Sequence, residues 1–427
     1  MKREARDIRD RMPKPVRRIP LSDTVSRPRL IFALIALAVA AGAFYLGFSG
    51  LLHTDPGWTV IEAESRYNSL FSFSYLLGQT GASPRTEQKT VTAIYTLALD
   101  QAGLALDARE VSEDPRNLAW LNAHPNTETE VAPLLYRALE QSLSAGRWLF
   151  LGPLYELSDS LSASDSDAEA AQMDPRRNAD SDAFRRELLP MLQSEDHLSL
   201  SLLGGNRVCL HVSPACLALG EEYEITRWID FGWQRDAFLT DSVADALSAA
   251  GVDHGLLASA SGCIRCLLPD ASASFAMNLQ TALAEPREGS PASDSSAPLQ
   301  SAAQTALAAP QAQILQLTYH GPLALLSLSP TAWRYADGLL ASRWLSLSDG
   351  LDYAPADAVV AASRQEGCAA LLLRFLPLLT RDAWDSALVD SLCPSSCALL
   401  AWKDGIPLPA PGAASLLDSP VAETPVL

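Results

Sequence analysis

Cysteines are the side chains of this 427-residue chain whose spacing most directly suggests chemistry, and there are seven of them. Cys263 and Cys266 form a C-x-x-C pair, and Cys393 and Cys397 form a C-x-x-x-C pair. Four thiolates can bind a structural zinc ion, and one close pair can act in thiol exchange. Because a long stretch of chain separates the two pairs, buried cysteines with one or two disulfides are the simpler interpretation.

A disulfide is predicted between Cys209 and Cys216. These two cysteines flank the sequence His-Val-Ser-Pro-Ala in a region whose alternating apolar pattern predicts a hairpin. Because the total of seven is odd, at least one thiol remains unpaired.

Aspartates and glycines in two segments form the second set of candidate residues. One group consists of Asp230, Gly232, Asp241 and Gly262, and the other contains Asp337. An aspartate can end a strand at a turn or cap a helix, and a glycine serves tight turns, so structural roles are favoured for the first group. Asp337, predicted in the first turn of a helix, fits both a structural role and a cation ligand.

The order of these residues resembles that in the ApbE-type FAD:protein FMN transferases. In that family a strand ends in Asp-Leu-Gly-Gly-Ile-Ala-Lys-Gly, a helix with an early Asp and an Ala-Gly-Val exit follows, and a second strand reaches a Gly-Gly-Asp-Ile turn. Residues 229–264 resemble this arrangement. Residues 326–345 resemble the family's late strand, Pro-Thr-Ala turn and Ala-Asp-Ala-Leu-Ala-Thr helix. Looser similarity at residues 117–142 and 152–157 extends the same element order over nearly the whole chain after residue 52.

The resemblance implies a cofactor site and a reaction. It implies binding of FAD through Asp230, Gly232, Asp241 and Gly262, a magnesium ion at Asp337, and transfer of FMN to a Ser or Thr of an exported flavoprotein. That transfer is attack by a hydroxyl on phosphorus, which requires a cation on the phosphate oxygens, glycines that admit backbone N–H groups, and a base.

The departures from the family pattern fall on this chemistry. Trp233 replaces the second glycine of the first motif, and Asp236 replaces its lysine. Cys263 stands for the aspartate of the turn, and Ala341 for the threonine four residues after the predicted metal ligand. The family's Ser-Gly-x-Tyr and His-Ile-x-Asp-Pro-x-Thr-Gly segments are not visible. At position 236 an aspartate repels the phosphate that the family's lysine would attract. Because the other motif positions are substituted as well, no residue is assigned a catalytic role.

The elements that would position these residues alternate without a regular βαβ count, which favours the α+β class, and the resemblance implies an ApbE-like, T-fold-like domain. Two Ser-, Asp-, Ala- and Pro-rich segments, 158–182 and 285–310, are predicted to be mobile insertions. The predicted strands are 91–100, 255–264, 324–330 and 369–376, the predicted hairpins are 197–212 and 398–409, and the predicted helices are 131–143, 240–250, 357–366 and one beginning within 331–347.

One N-terminal transmembrane helix is predicted at residues 30–52. These 23 residues contain no charged side chain and would span roughly 34 Å as a helix, enough for a bilayer core of about 30 Å. Residues 1–29 contain ten basic and four acidic side chains, so the positive-inside rule places them in the cytoplasm and residues 53–427 on the far side. The length of the span and the absence of a clear A-x-A site favour an uncleaved anchor over a signal peptide.

The exported part is strongly acidic. The chain carries a formal charge of −18, and subtracting the +6 of the leader leaves −24. Such a surface repels nucleic-acid phosphates, so binding to nucleic acid is excluded as a function.

Three functions follow as hypotheses. The first is a membrane-anchored flavin transferase homologue with weak or lost activity, which binds or assembles with an exported flavoprotein or a membrane redox complex. The second is an active, magnesium-dependent transferase of FMN from FAD. The third is an unrelated exported α+β protein that acts through its thiols or as a binding module.

Overall fold

The computed structural model describes residues 56–269, 274–280, 314–404 and 406–410. The predicted cytoplasmic tail, transmembrane helix and insertion at 285–310 lie outside these residues. Among the helices that the structure describes, none has both the length and the apolar content needed to cross a bilayer.

An antiparallel sheet of eight strands, in the order β1-β2-β6-β7-β10-β13-β14-β15, forms the centre of the domain. The smaller sheets are β3-β5-β4, β8-β9 and β11-β12. The strands are β1 (Gly57–Ile61), β2 (Phe71–Leu77), β3 (Glu128–Glu130), β4 (Leu198–Gly204), β5 (Arg207–Val212), β6 (Gly255–Ser259), β7 (Cys263–Leu267), β8 (Ser274–Gln280), β9 (Ile314–His320), β10 (Leu323–Leu328), β11 (Thr331–Arg334), β12 (Leu340–Ser342), β13 (Ala358–Ser363), β14 (Cys397–Lys403) and β15 (Ile406–Pro407).

Helices cover one face of this sheet, which gives the mixed α+β fold that the sequence predicts. Alternate residues of the central strands point to opposite faces. Leu326 and Val359 join the main core with the helices, whereas Leu325 and Val360 join a smaller cluster on the other face. The helices are α1 (Pro84–Ala105), α2 (Leu118–Ala123), α3 (Pro133–Ala145), α4 (Gly152–Ser162), α5 (Asp167–Met173), α6 (Ala179–Gln193), α7 (Pro214–Glu222), α8 (Arg235–Ala249), α9 (Cys368–Leu379) and α10 (Ser386–Leu392).

Several predicted elements are confirmed. The predicted helix at 131–143 is α3, the strand at 324–330 is β10, and the hairpin at 398–409 contains β14 and β15. The hairpin at 197–212 consists of β4 and β5, and its two-residue loop, Gly205 and Asn206, has both residues at positive φ. This is the backbone that a tight type I′ turn requires.

The predicted strand at 91–100 is wrong, because these residues lie within α1. The helix begins after Ser83, whose side chain accepts a hydrogen bond from the Thr86 N–H group. Val91, Tyr95 and Leu99 are buried four residues apart, so one helical face packs on the sheet.

The order predicted for the C-terminal elements is reversed. Residues 357–366, predicted as a helix, contain β13, and residues 369–376, predicted as a strand, lie within α9. Helix α9 is buried nearly all round, so its sequence is a continuous apolar run without a visible period. Periodicity does not distinguish such a run from a buried strand.

The predicted mobile insertion at 158–182 is also wrong. These residues form the end of α4, all of α5 and the start of α6, with Ser166 and Asn178 as N-caps. Leu161 and Ala170 pack with Trp333 in a small apolar cluster. A few small side chains therefore suffice to hold this polar segment on the domain.

Candidate functional site

Asp230 closes a buried turn just before α8. Its Oδ1 accepts a hydrogen bond from the Gly232 N–H group at 2.9 Å, and its Oδ2 accepts one from Arg227 at 2.7 Å. Its own N–H group donates to the carbonyl oxygen of Leu149. Burial raises the pKa of Asp230, although the hydrogen bond from Gly232 and the charge of Arg227 oppose that effect. This carboxylate therefore fixes the course of the chain into α8.

Two further residues hold the same turn. Gly232 has φ +54°, and a Cβ there would lie 2.7 Å from the ring of Tyr155. Asn122, within the loosely similar segment at 117–142, accepts hydrogen bonds from the N–H groups of Trp228 and Ile229, each at 3.0 Å. Glycine and asparagine are thus required for the shape of this turn.

Helix α8 begins five residues earlier than the predicted 240–250. It follows the short 3₁₀ helix Gly232–Gln234 directly. Thr240, the first residue of the predicted helix, donates its hydroxyl to the carbonyl oxygen of Asp236 within the observed helix. Asp236 and its neighbours therefore occupy the first turn of α8.

Several buried polar atoms without a hydrogen-bond partner lie where the 3₁₀ helix meets α8 and at the β11–β12 hairpin. We call the five residues that carry them, Trp233, Gln234, Arg235, Thr331 and Arg343, the polar cluster. They contribute six of the nine buried side-chain nitrogen and oxygen atoms that have no hydrogen-bond partner among the described residues. Because native proteins pair nearly all such groups, this concentration requires an explanation. The atoms are Trp233 Nε1, Gln234 Oε1, Arg235 Nε and Nη2, Thr331 Oγ1 and Arg343 Nε.

The charged groups at the polar cluster are the guanidinium groups of Arg235 and Arg343 and the neighbouring carboxylate of Asp236. Burial raises the pKa of Asp236, and the nearby Ser261 hydroxyl and the charges of Arg235 and Arg343 oppose this. Burial lowers the pKa of Arg343, whose Nη2 makes only a long 3.4 Å contact with the carbonyl oxygen of Thr331. The guanidinium groups therefore keep hydrogen-bonding capacity that the described side chains do not use.

Gly262 lies in the β6–β7 turn, next to Ser261, whose side chain is near Asp236. It has φ +90°, and a Cβ there would lie 1.8 Å from the carbonyl oxygen of Ser327. The carbonyl oxygen of Gly262 accepts a 2.7 Å hydrogen bond from the Ser327 N–H group. The glycine thus brings the turn against β10 and places the Ser261 hydroxyl beside Asp236.

Asp241 lies further along α8 and tethers another helix. Its carboxylate accepts hydrogen bonds from the N–H groups of Cys368 at 2.9 Å and Ala369 at 2.8 Å, at the start of α9. Arg265 of β7 donates to the same carboxylate at 2.6 Å. A Cβ on Gly367 would lie 2.3 Å from Asp241 Oδ2. The structure therefore shows Asp241 capping α9, whereas the sequence suggested a cap on its own helix.

A cavity of about 1020 Å³ borders α1, α3, α8 and the start of α9. Its lining combines apolar side chains such as Leu104 and Phe238 with charged ones such as Arg137 and Asp245. In helix α8, Arg235 precedes Phe238 by three residues and therefore lies on the same side of the helix. The cavity-lining face of α8 thus leads towards the polar cluster.

Asp337 lies outside the polar cluster. The predicted helix within 331–347 is wrong, because these residues form the β11–β12 hairpin, and Asp337 lies at its exposed tip. Arg177 pairs with Asp337 at 2.6 Å and lowers its pKa. The strand-to-helix order expected around Asp337 occurs at β13 and α9, where the helix begins with Cys368, Ala369 and Ala370 and offers no carboxylate.

The described residues do not fit a magnesium site. Nowhere in the described part of the chain do three His, Cys, Asp or Glu side chains come together as metal ligands would. The carboxylate implied as a ligand, Asp337, is already neutralised by an arginine. Oxygen-rich coordination of the kind that Mg²⁺ requires is therefore not provided by these side chains.

Six of the seven cysteines are buried, as the favoured interpretation predicts, but none is paired in a disulfide, and the alternative thiol sites do not form. Cys263 belongs to the main core and Cys266 to the cluster on the other face of the sheet, as expected for residues three apart in a strand. Burial raises the pKa of Cys263 to about 12. The predicted Cys209–Cys216 disulfide is wrong, because Cys209 contacts His211 and Cys216 contacts Met191 as thiols. A zinc or redox centre at these positions has no geometric support.

The residues that sequence reasoning missed are Arg235 and Arg343. In sequence, Arg235 is visible only as a substitution in the first motif, and Arg343 falls within a predicted helix. The one signal in the sequence was the position of Arg235, shortly after the Asp230–Gly232 turn. Arg343 comes near this region only because the β11–β12 hairpin folds back.

Comparison with known proteins gives the fold. No family model and no curated protein sequence matches the chain. Among solved structures, the flavin transferase ApbE from Vibrio cholerae matches with 12% identity and a TM-score of 0.51, covering 85% of this chain and 100% of that one. The ApbE protein from Thermotoga maritima matches with 12% identity and a TM-score of 0.52, covering 84% and 99%. The chain therefore has an ApbE-like fold.

Proposed function

We propose that this chain is a membrane-anchored flavin-nucleotide-binding protein that takes FAD on an ApbE-like domain and has weak or no FMN transferase activity. The observation that carries the proposal is the polar cluster, with its unpartnered guanidinium nitrogens at the start of α8. Those donors follow the Asp230–Gly232 turn, the motif for which the resemblance implies cofactor binding.

FAD suits the chemistry of this region. Its diphosphate offers several charged acceptor oxygens, which are the partners that guanidinium groups bind most strongly. The neighbouring cavity, at about 1020 Å³, lies at the upper end of the size range of ligand pockets and is lined by both apolar and polar side chains. Arg235 does not itself line this cavity, but it lies one helical turn before the lining residue Phe238, so an elongated ligand would place its charged end at the polar cluster and its less polar end in the cavity.

Transfer of FMN has less support than binding. Attack by a hydroxyl on phosphorus needs positive charge that neutralises the developing negative charge, usually supplied in part by a metal ion. Here Asp236 stands where the family has a lysine, and no metal-ligand group occurs among the described residues. A binding role needs none of these catalytic groups.

The place of action is proposed from the sequence. A transmembrane helix at residues 30–52 would hold the domain on the far side of the membrane and concentrate it near an exported flavoprotein or a membrane redox complex. Tethering raises the effective concentration of such a partner without any additional contact.

Titration of FAD into the full-length chain in detergent, followed by quenching of flavin fluorescence, tests the proposal. Saturable binding at micromolar FAD with no FMN attached to a Ser- or Thr-containing acceptor flavoprotein is the expected result. Covalent FMN on the acceptor would replace the binding role by active transfer. A flat titration up to millimolar FAD would remove the flavin function altogether.

A further inference from the structure

We propose that Arg235 and Arg343 together form a diphosphate-binding site that takes the place of a metal ion, so that this chain binds FAD without magnesium. The inference rests on the proposed function, because it names how the same site would neutralise the diphosphate. It differs from the expectation drawn from the resemblance, in which Mg²⁺ supplies that charge.

The first argument concerns hydrogen bonds. Arg235 Nε and Nη2 and Arg343 Nε are buried and have no acceptor among the described residues. A buried polar group left unpaired costs about 1–3 kcal/mol, and more when it is charged. An anion with several oxygens would satisfy both guanidinium groups at once, and Thr331 Oγ1 and Trp233 Nε1 offer further donors at the same place.

The second argument concerns the acidic neighbours of Arg235. Asp107 lies close enough for the charge of Arg235 to lower its pKa. However, Asp107 already accepts hydrogen bonds from Arg66 at 3.2 Å and from the Tyr67 hydroxyl at 3.1 Å. Arg235 itself lies over the ring of Tyr67, 5.7 Å from the ring centre. Asp107 therefore shares Arg66 with Glu110, and no hydrogen bond joins it to Arg235 among the described residues.

The same holds for Arg343. Asp159, whose charge acts on Arg343, is paired with Arg109 at 2.8 Å and with Arg227 at 3.0 Å. Asp236 is thus the carboxylate on which the charges of both Arg235 and Arg343 act, so one negative charge faces two positive ones.

The third argument is that two arginines can supply the positive charge that a divalent cation would otherwise bring to a diphosphate. The charges of Arg235 and Arg343 both act on Asp236, so an anion bound there would interact with both. A guanidinium pair also meets the geometric need of a diphosphate, because each planar group can bind two oxygens side by side.

The fourth argument favours a dinucleotide over free phosphate. Arg235, Phe238 and Ser242 follow one another at three- and four-residue spacing along one face of α8, and Phe238 and Ser242 line the cavity. Seven residues of helix span about 10 Å. A ligand with its diphosphate at Arg235 would therefore extend into the cavity with its remaining part.

The experiment measures FAD affinity of the full-length chain in detergent, once with EDTA and once with millimolar Mg²⁺. We expect dissociation constants that agree within about threefold, competition by pyrophosphate in EDTA, and much weaker binding of riboflavin, which has no phosphate. Arg235→Gln and Arg343→Gln should each weaken FAD binding at least tenfold, or about 1.4 kcal/mol. The matched control, Arg177→Gln, removes an arginine paired at the exposed hairpin tip and should leave the affinity unchanged.

The outcomes separate this inference from the proposed function. If FAD binds but Mg²⁺ tightens binding more than tenfold, or if both arginine variants bind as the parent does, the arginine site is wrong while flavin binding stands. If FAD does not bind under either condition, the proposed function fails as well. If the arginine variants do not fold, pyrophosphate competition on the unmodified chain decides, and failure to displace FAD at millimolar concentration overturns the inference.

Discussion

Asp241 in the middle of α8 accepts a 2.9 Å hydrogen bond from the backbone N–H group of Cys368, at the first residue of α9. The first N–H groups of a helix have no partner within the helix, and they carry the positive end of its dipole. A carboxylate from a neighbouring helix meets both needs. With Arg265 on the same carboxylate, this contact connects α8, α9 and the central sheet.

Asp241→Ala should destabilise the domain. The change removes the cap of α9 and leaves Arg265 without its closest partner, so we expect the free energy of unfolding to fall by about 2–4 kcal/mol. Asp241→Asn, which keeps one acceptor oxygen, should have a smaller effect. Urea denaturation followed by circular dichroism measures both changes.

The control for that prediction is Asp245→Asn. Asp245 lies 3.6 Å from Arg265, and its side chain is 69% exposed, so its removal should change stability by less than about 1 kcal/mol. Equal losses at the two positions would show that Asp241 acts through charge alone and not through the cap.

Gly262→Ala should be among the most damaging single changes. Its Cβ would lie 1.8 Å from the carbonyl oxygen of Ser327, and the backbone at φ +90° already disfavours any side chain. We expect a loss of at least about 3 kcal/mol in the free energy of unfolding. Gly251→Ala is the matched control, because Gly251 has φ +78° but a Cβ there would meet no atom within 4 Å, so only conformational strain of about 1 kcal/mol applies. Similar losses for the two variants would contradict the close contact with Ser327.

Local chemistry made part of this structure predictable. The Gly205–Asn206 hairpin loop depends on residues adjacent in sequence, so its pattern is visible without the fold. The turn at Asp230 has a local part, the hydrogen bond from Gly232, but the hydrogen bonds of Asn122 and Leu149 come from distant segments. The strand β13 and helix α9 were exchanged because each is nearly all apolar, with Ser363 as the one polar residue of β13 and Arg374 as the one charged residue of α9, so too few polar positions show the period. Burial on all sides removes the polar positions from which a period is read.

The polar cluster was less predictable because it depends on contacts between distant segments. Arg343 is 108 positions after Arg235, and only the β11–β12 hairpin brings its charge near Asp236. The sequence Tyr335–Gly338 looks like a helix start when matched to the family pattern, yet its Gly338 has positive φ and makes a turn. The position of Asp337 followed from that mistaken helix, and so did its predicted role as a metal ligand.

Asp236→Asn should change how stability depends on pH. Burial raises the pKa of Asp236 above its ordinary value of 3.8, so the folded protein binds this proton more tightly than the unfolded chain does. The wild-type chain therefore loses stability relative to the variant as the pH rises from 3.8 through the raised pKa, and the two should be closest below pH 3.8. Denaturation series from pH 3.5 to pH 7 measure the difference. A gap that stays constant with pH would mean that Asp236 has the same pKa in both states.

Arg343→Gln should stabilise the ligand-free protein even though it weakens FAD binding. The guanidinium Nε is buried without a partner, and burial lowers the pKa of this arginine, which shows that its charged form is disfavoured there. Glutamine keeps a donor for the carbonyl oxygen of Thr331 and removes the charge. We expect the free energy of unfolding without FAD to rise by about 1 kcal/mol. Added FAD should then raise the melting temperature of the wild-type chain more than that of the variant, because only tight binding stabilises the folded state by mass action. Arg177→Gln should leave the FAD-induced rise in melting temperature as in the wild-type chain, and the loss of its contact with the Tyr335 ring, 3.8 Å from the guanidinium, should lower the free energy of unfolding by about 1 kcal/mol. A ligand-free Arg343→Gln chain that is less stable than wild type would show that Arg343 holds the hairpin in place and has no unmet need for an anion.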